Sequence, residues 1–200
     1  MLMAVLFTVA ALLPAQQPAQ QDATPKKLFE SGKYQEAIDR IKAQADAPRD
    51  QIYLRALAHR KLNQNDEAKE TFNALGAGAE ENAWKSIGAS GAALIDGNMN
   101  DAAAAAKKAV ELDGNSPQAQ YQLGLIESAR NNQPAAAAAF AKAAELDPQM
   151  AYAHYEAGMA FYKAKRVDRM AVYFENFLKL APDAPEAPAV KSIMKTVRGR

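Results

Sequence analysis

The chain has 200 residues, 49% of them hydrophobic, which is ample for a buried core and excludes global disorder. Lysine and arginine number 24 against 23 acidic residues, so no strong field draws the chain to nucleic acid or to an anionic membrane surface. With no cysteine there is no disulfide, thiol nucleophile, thiolate metal site or acylated lipoprotein anchor.

The first charged side chain is Asp22, and Leu2 to Leu13 form an apolar run that breaks at Pro14. The run is shorter than the roughly 20 residues a bilayer span requires, and it has the shape of a secretory signal peptide. Residues 1–15 are therefore expected to be a signal peptide cleaved after Ala15, which places the mature protein outside the cytoplasm, periplasmic or secreted. An uncleaved N-terminal tether to the membrane is the alternative. Residues 16–24, rich in glutamine, proline and alanine, read as a flexible linker.

From Thr24 onward helix formers dominate, strand-like alternation is absent, and breaks fall at short clusters such as Gly97-Asn98, Asn131-Asn132 and Asp147-Pro148. The fold class is all α. Residues 25–48 form a shortened unit, Leu28 to Ile38 being typical of a turn and second helix, with Ala37 only 31 residues before Ala68. Four blocks follow at 49–82, 83–116, 117–150 and 151–184. Their register shows in Gly114, Pro148 and Pro182, each 34 residues from the next. Small residues at Ala56, Gly124, Gly158, Ala68, Ala102 and Ala136 mark where two helices of a hairpin approach closely, and Phe72, Phe140 and Phe174 are expected to fill the space between one hairpin and the next. Ser116-Pro117 reads as an N-cap followed by proline at the first helical position, and Asp147-Pro148 as a helix stop. Residues 185–200 supply a last amphipathic helix with Val190, Ile193, Met194 and Val197 on one face, which caps the array and ends in a basic tail.

In residues 117–150, Leu123, Gly124, Ala136, Phe140, Ala143 and Pro148 match the pattern W-x2-L-G-x2-Y, then A-x3-F, then proline. The chain resembles the tetratricopeptide repeat family. Residues 151–184 keep Gly158, Phe161, Phe174 and Pro182; 49–82 keep Ala56, Ala68 and Phe72; 83–116 keep Ala102 and Ala109. The resemblance implies a right-handed α-solenoid of helix-turn-helix hairpins in which positions 2, 5, 9 and 12 of each first helix face a concave groove. Those positions carry Tyr53, Leu57 and Arg60, then Trp84, Ile87 and Leu94. Tyr121 and Leu125 follow, then Tyr152, Tyr155, Met159 and Tyr162. Aromatic side chains recur at interaction hot spots, so this face is expected to bind a peptide or helix segment of another protein. The family's carboxylate clamp needs lysine and asparagine where this chain has Tyr53 with Leu57 and Tyr121 with Leu125, which argues against an acidic-tail ligand.

Chemistry is sparse. His59 and His154 lie far apart with no ligand spacing, and no phosphate loop, nucleophile elbow or dinucleotide fingerprint occurs. No metal, cofactor, small-molecule substrate or enzymatic activity is expected. A basic group, Lys163, Lys165, Arg166 and Arg169, surrounds the last hairpin turn and reads as solvated. The expected function is a non-catalytic scaffold or adaptor of the cell envelope, with self-association into a homo-oligomer as the alternative.

Overall fold

A computed structural model describes residues 23–77 and 81–198, and among these every regular element is an α-helix. The apolar run of Leu2 to Leu13 and most of the linker lie outside the described residues. The helices fall into antiparallel pairs: α1 (Pro25–Glu30) with α2 (Tyr34–Lys42), α3 (Arg49–Lys61) with α4 (Asn65–Leu75), α5 (Ala83–Ile95) with α6 (Met99–Leu112), α7 (Pro117–Ala129) with α8 (Gln133–Leu146), and α9 (Ala151–Lys163) with α10 (Val167–Leu180). The final helix is α11 (Ala187–Arg198). No described helix is long and apolar enough to cross a membrane.

One local device closes all five hairpins. The second residue after each first helix is left-handed: Gly32, Asn63, Gly97, Asn131 and Lys165 have φ between 58° and 78°. In the fourth pair the Asn131 amide donates to the Ser128 carbonyl (3.0 Å) and the Asn132 amide to the Glu127 carbonyl (2.8 Å). The fifth repeats this with Lys165 to Tyr162 (3.0 Å) and Arg166 to Phe161 (2.8 Å). This paired bonding of the last turn's carbonyls is the Schellman motif, and it favours glycine or asparagine at the left-handed position. Lys165, at φ 59°, is the exception in type. Replacing it by glycine should stabilise the chain by about 0.5–1 kcal/mol and raise the melting temperature by about 2 °C. Glycine at helical Lys163 should cost about as much instead, so calorimetry of the two variants separates turn strain from charge loss.

Helix starts follow the same economy. The Ser116 hydroxyl accepts from the Ala119 amide (3.2 Å) ahead of Pro117, and Asn82 caps α5 through the Lys85 amide (3.0 Å). Helix α8 stops at Leu146, before Asp147-Pro148.

The core runs along the pairs. A β-carbon added at Gly124 would lie 2.6 Å from the Phe140 ring, and one at Gly158 2.4 Å from the Phe174 ring, so each phenylalanine presses on the first helix of its own hairpin. The filling expected between hairpins is therefore, for these two rings, within them. Phe72 does reach onward, to Gly91 of the next pair, while meeting Tyr53 of its own edge to face at 6.1 Å. Helix α6 has Ala106 where α4, α8 and α10 have Phe72, Phe140 and Phe174. Here the packing is alanine-based, with Ala102, Ala103 and Ala106 around Ile126. A buried polar chain runs through the same hairpin. The Tyr53 hydroxyl donates to Gln122 Oε1 (3.0 Å), Gln122 Nε2 to Ser90 Oγ (3.2 Å), and Ser90 Oγ to the Ala102 carbonyl (2.9 Å). Four helices are tied by these bonds, which spare the buried Tyr53, Gln122 and Ser90 groups that they join the cost of burial without a partner.

Helix α11 buries Val190 and Met194 and leaves Lys191 and Lys195 exposed, so it covers the last hairpin's apolar side as a solenoid end requires.

Candidate functional site

The first helices present one face inward because their inner residues recur at helical spacing. Tyr53, Leu57 and Arg60 stand at i, i+4 and i+7 of α3, and Tyr121 and Leu125 at i and i+4 of α7. On α9 the same face carries Tyr152 and Glu156. Two adjoining hollows lie along these residues. The larger, about 200 Å³, is walled by Tyr53, Leu57, Tyr121 and Tyr152 together with Phe29 and Lys26 of α1. The smaller, about 150 Å³, shares Phe29, Leu57 and Tyr121 and adds Arg60, Leu125 and Glu156.

Much of the face expected to be an open aromatic groove is covered. Tyr53, Tyr121 and Tyr152 are each 5% exposed or less, because neighbouring first helices and α1 close over their rings. Tyr121 packs edge to face on Phe140 (5.4 Å), and Tyr155 packs at a tilt on Phe177 (5.1 Å). Burial pushes the Tyr155 hydroxyl up to about 12. Ile87 is fully enclosed in the core rather than in a groove wall, and Leu94 packs against the alanine cluster. Trp84, half-buried, sits edge to face with Tyr53 at 6.4 Å and lines neither hollow. Met159 is half-buried against the core, and Tyr162 is 43% exposed at the far end of α9.

The two ends of the array meet across the groove. Phe29 is buried edge to face against Tyr34 (5.2 Å) and Tyr152 (5.1 Å). The Tyr152 hydroxyl donates to Glu186 Oε2 (2.8 Å), and since its proton is so committed, the Tyr34 hydroxyl donates to it (3.4 Å). Lys61 Nζ reaches Glu186 Oε1 at 2.7 Å and also lies over the Tyr152 ring, 4.7 Å from its centre. Gly32 completes the closure: a β-carbon there would meet Pro185 at 2.6 Å. Phe29, Tyr34, Lys61 and Glu186 were not among the groove positions of the repeat, since the contacts of Phe29 with Tyr152, Tyr34 with Tyr152 and Lys61 with Glu186 each join residues more than a hundred positions apart in the chain.

Electrostatics follow from this geometry. Burial raises the Glu156 carboxyl above its usual value, opposed by Lys61, then Lys163 and Arg60. Among the described residues neither the Arg60 nor the Glu156 side chain makes a hydrogen bond or ion pair. Glu186 goes the other way. Burial raises it, but the hydrogen bonds from Lys61 and Tyr152 outweigh burial and hold it below 4.5. A lowered carboxyl stabilises fully above its unfolded value and loses that stabilisation as pH falls through the folded one. The melting temperature of the native chain should therefore drop more steeply than that of Glu186→Gln as pH is lowered from about 5 to about 3. Parallel slopes in calorimetry would show that the carboxylate is not held as described.

The histidines do no such work. His59 is buried with Nδ1 2.7 Å from Gln64 Oε1, and His154 Nε2 donates to the Pro148 carbonyl (3.1 Å). Of the basic group, Arg166 stands 3.7 Å from Asp168 and Arg169 lies over the Phe161 ring at 5.6 Å.

The family model described as "Tetratricopeptide repeat" matches residues 52–77 and 152–184. Those two segments match tetratricopeptide repeats, and the chain as a whole has the tetratricopeptide solenoid fold. Its solenoid is similar to a thermophilic tetratricopeptide protein of Thermus thermophilus, at 16% identity over 86% of this chain and 94% of that one, with a TM-score of 0.60. It is also similar to YrrB, described as a tetratricopeptide protein with an unusual peptide-binding site, at 22% identity over 87% and 94% with a TM-score of 0.53. MamA follows at 19% identity over 78% and 93%, with a TM-score of 0.50. At these identities the likeness is one of fold. None of the curated proteins matches the chain. The tetratricopeptide family is in general a non-catalytic, protein-interaction fold.

Proposed function

We propose that this tetratricopeptide protein is an adaptor without catalysis of its own, which holds a peptide or short helix of another protein in the paired hollows of its inner face. The observation that carries this reading is their lining. Leu57, Tyr121 and Leu125 give an apolar wall, while the Arg60 and Glu156 side chains stand in the same hollow with no hydrogen bond or ion pair among the described residues. Apolar walls with a few convergent polar groups are what a ligand site requires, the first for affinity and the second for orientation. The YrrB relative, described as having a peptide-binding site, supports peptide as the class of occupant.

Panning a display library of short peptides on the immobilised full chain, then titrating the selected peptide by calorimetry, tests this directly. Leu57→Glu with Leu125→Glu should weaken binding by about 2 kcal/mol or more, about thirtyfold, with far-ultraviolet dichroism unchanged. Unchanged affinity would remove the hollows as the site. Light scattering on the same protein should give one chain per particle, and a concentration-dependent dimer that blocks the peptide would favour self-association instead.

Export is part of the same proposal and rests on Leu2 to Leu13 and the absence of charge before Asp22. N-terminal sequencing of the protein from the producing cell should begin at Gln16. A Met1 terminus on soluble cytoplasmic protein would overturn it.

A further inference from the structure

Helix α1 stands apart from the rest of the array. It has six residues where the first helices α3, α5, α7 and α9 have thirteen each, and it lies across the inner face with three buried residues, Leu28, Phe29 and Glu30. In a solenoid each repeat touches its neighbours. Here the first unit also touches the last: Lys26 Nζ is 3.7 Å from Asp147, Lys27 Nζ 3.5 Å from the Leu180 carbonyl, and Phe29 packs on Tyr152. Phe29 and Lys26 are themselves walls of the larger hollow. The contacts are those of a bound peptide, with an aromatic anchor seated between two tyrosines, a lysine three residues earlier facing a carboxylate, and a proline at the first helical position to fix the start.

The docking also carries a cost. Glu30 is buried with the seated helix, and its near partner is Lys27 at 3.5 Å, a side chain 66% exposed. Burial accordingly raises the Glu30 carboxyl despite Lys27 and Lys26. A six-residue helix has little stability of its own and is held by its contacts.

We infer that α1 is the groove's resident ligand, an intramolecular plug, and that a partner segment enters by displacing it. The partner then shares the plug's chemistry: a short amphipathic helix with a phenylalanine-like anchor for the Tyr34 and Tyr152 rings, and a lysine one turn earlier for Asp147. This rests on the peptide-binding reading above and specifies its occupant. A plug that fills the site most of the time lowers apparent affinity by the fraction of time the site is open.

The probe is a fluorescein-labelled synthetic peptide of residues 23–33, titrated by anisotropy against the native full chain and against full-length Phe29→Ala. The variant should bind about tenfold tighter than the native chain, because its own plug has lost its anchor. The same peptide carrying Phe29→Ala should not bind either protein. Full-length Lys26→Glu, which sets like charges at Asp147 without touching the ring, should bind about threefold tighter than native, and it decides the matter should Phe29→Ala lose its helical dichroism. Equal binding to native and variant chains, or binding to none of them, overturns the plug. If the library-selected peptide still binds native and variant chains alike, the groove stands and the plug alone falls. If that peptide fails as well, both readings fall together.

Discussion

Phe140→Ala is expected to destabilise the chain by about 3–5 kcal/mol, read as a shift in the urea midpoint. The ring is fully buried, meets Tyr121 edge to face, and lies where a β-carbon on Gly124 would stand 2.6 Å away. Removing it opens a void that two helices pinned by Schellman turns cannot collapse. Its counterpart sharpens the test. Gly124→Ala alone should cost about 1–3 kcal/mol, because its methyl meets the ring. In the Phe140→Ala background the same change has no ring to meet and gains about 1 kcal/mol of helix propensity, so the pair should be strongly non-additive. Additive losses would mean that Gly124 is required for something other than the approach of that ring.

Tyr152→Ala should rank beside it, at about 3–5 kcal/mol. This side chain meets Phe29, Tyr155 and Phe177 edge to face, carries Lys61 over its ring, and bonds Glu186 and Tyr34 through its hydroxyl. Tyr152→Phe keeps the ring contacts and strips a charge-assisted hydrogen bond, for about 1.5–3 kcal/mol. The distinguishing consequence lies at the other end of the chain. Amide exchange of Phe29 and Ala37 should accelerate in Tyr152→Ala, because the first unit is held by the last. Acceleration confined to α9 and α10 would show that the ends do not support one another.

The helical hairpin architecture was legible because its signals are local and periodic. Small residues and phenylalanines recur every 34 positions, Ser116-Pro117 and Asp147-Pro148 punctuate the helices, and Val190 and Met194 mark the buried face of the capping helix. The alternation of Gly97, Asn131 and Lys165 at the turns belongs to the same period and carries the left-handed conformation. The inner face was only partly legible. Leu57, Arg60, Tyr121 and Leu125 are placed together by the groove register that the tetratricopeptide resemblance implies, and they line the smaller hollow. The burial of Tyr53, Tyr121 and Tyr152 cannot be read that way. It depends on how tightly successive first helices stack, and on α1 crossing the face. That crossing links Phe29 to Tyr152, and beside it Lys61 pairs with Glu186; neither pair has a periodic relation in the chain. The one trace it left is a change of spacing: Gly32 and Asn63, like Ala37 and Ala68, are 31 residues apart instead of 34, which sets the first unit outside the regular stack. Gln122 and Ser90 were equally hidden, since a glutamine or serine in a helix gives no sign that it will be buried until its partners are in place.

The most direct measurement is a nuclear magnetic resonance footprint of the isotope-labelled full chain titrated with the library-selected peptide. Chemical-shift changes should concentrate at Leu57, Arg60, Tyr121, Leu125 and Glu156, with Phe29 shifting as it leaves its seat. Changes centred instead on exposed residues such as Val172 of α10 or Ala104 of α6, with Leu57 and Tyr121 unmoved, would contradict the groove and everything built on it.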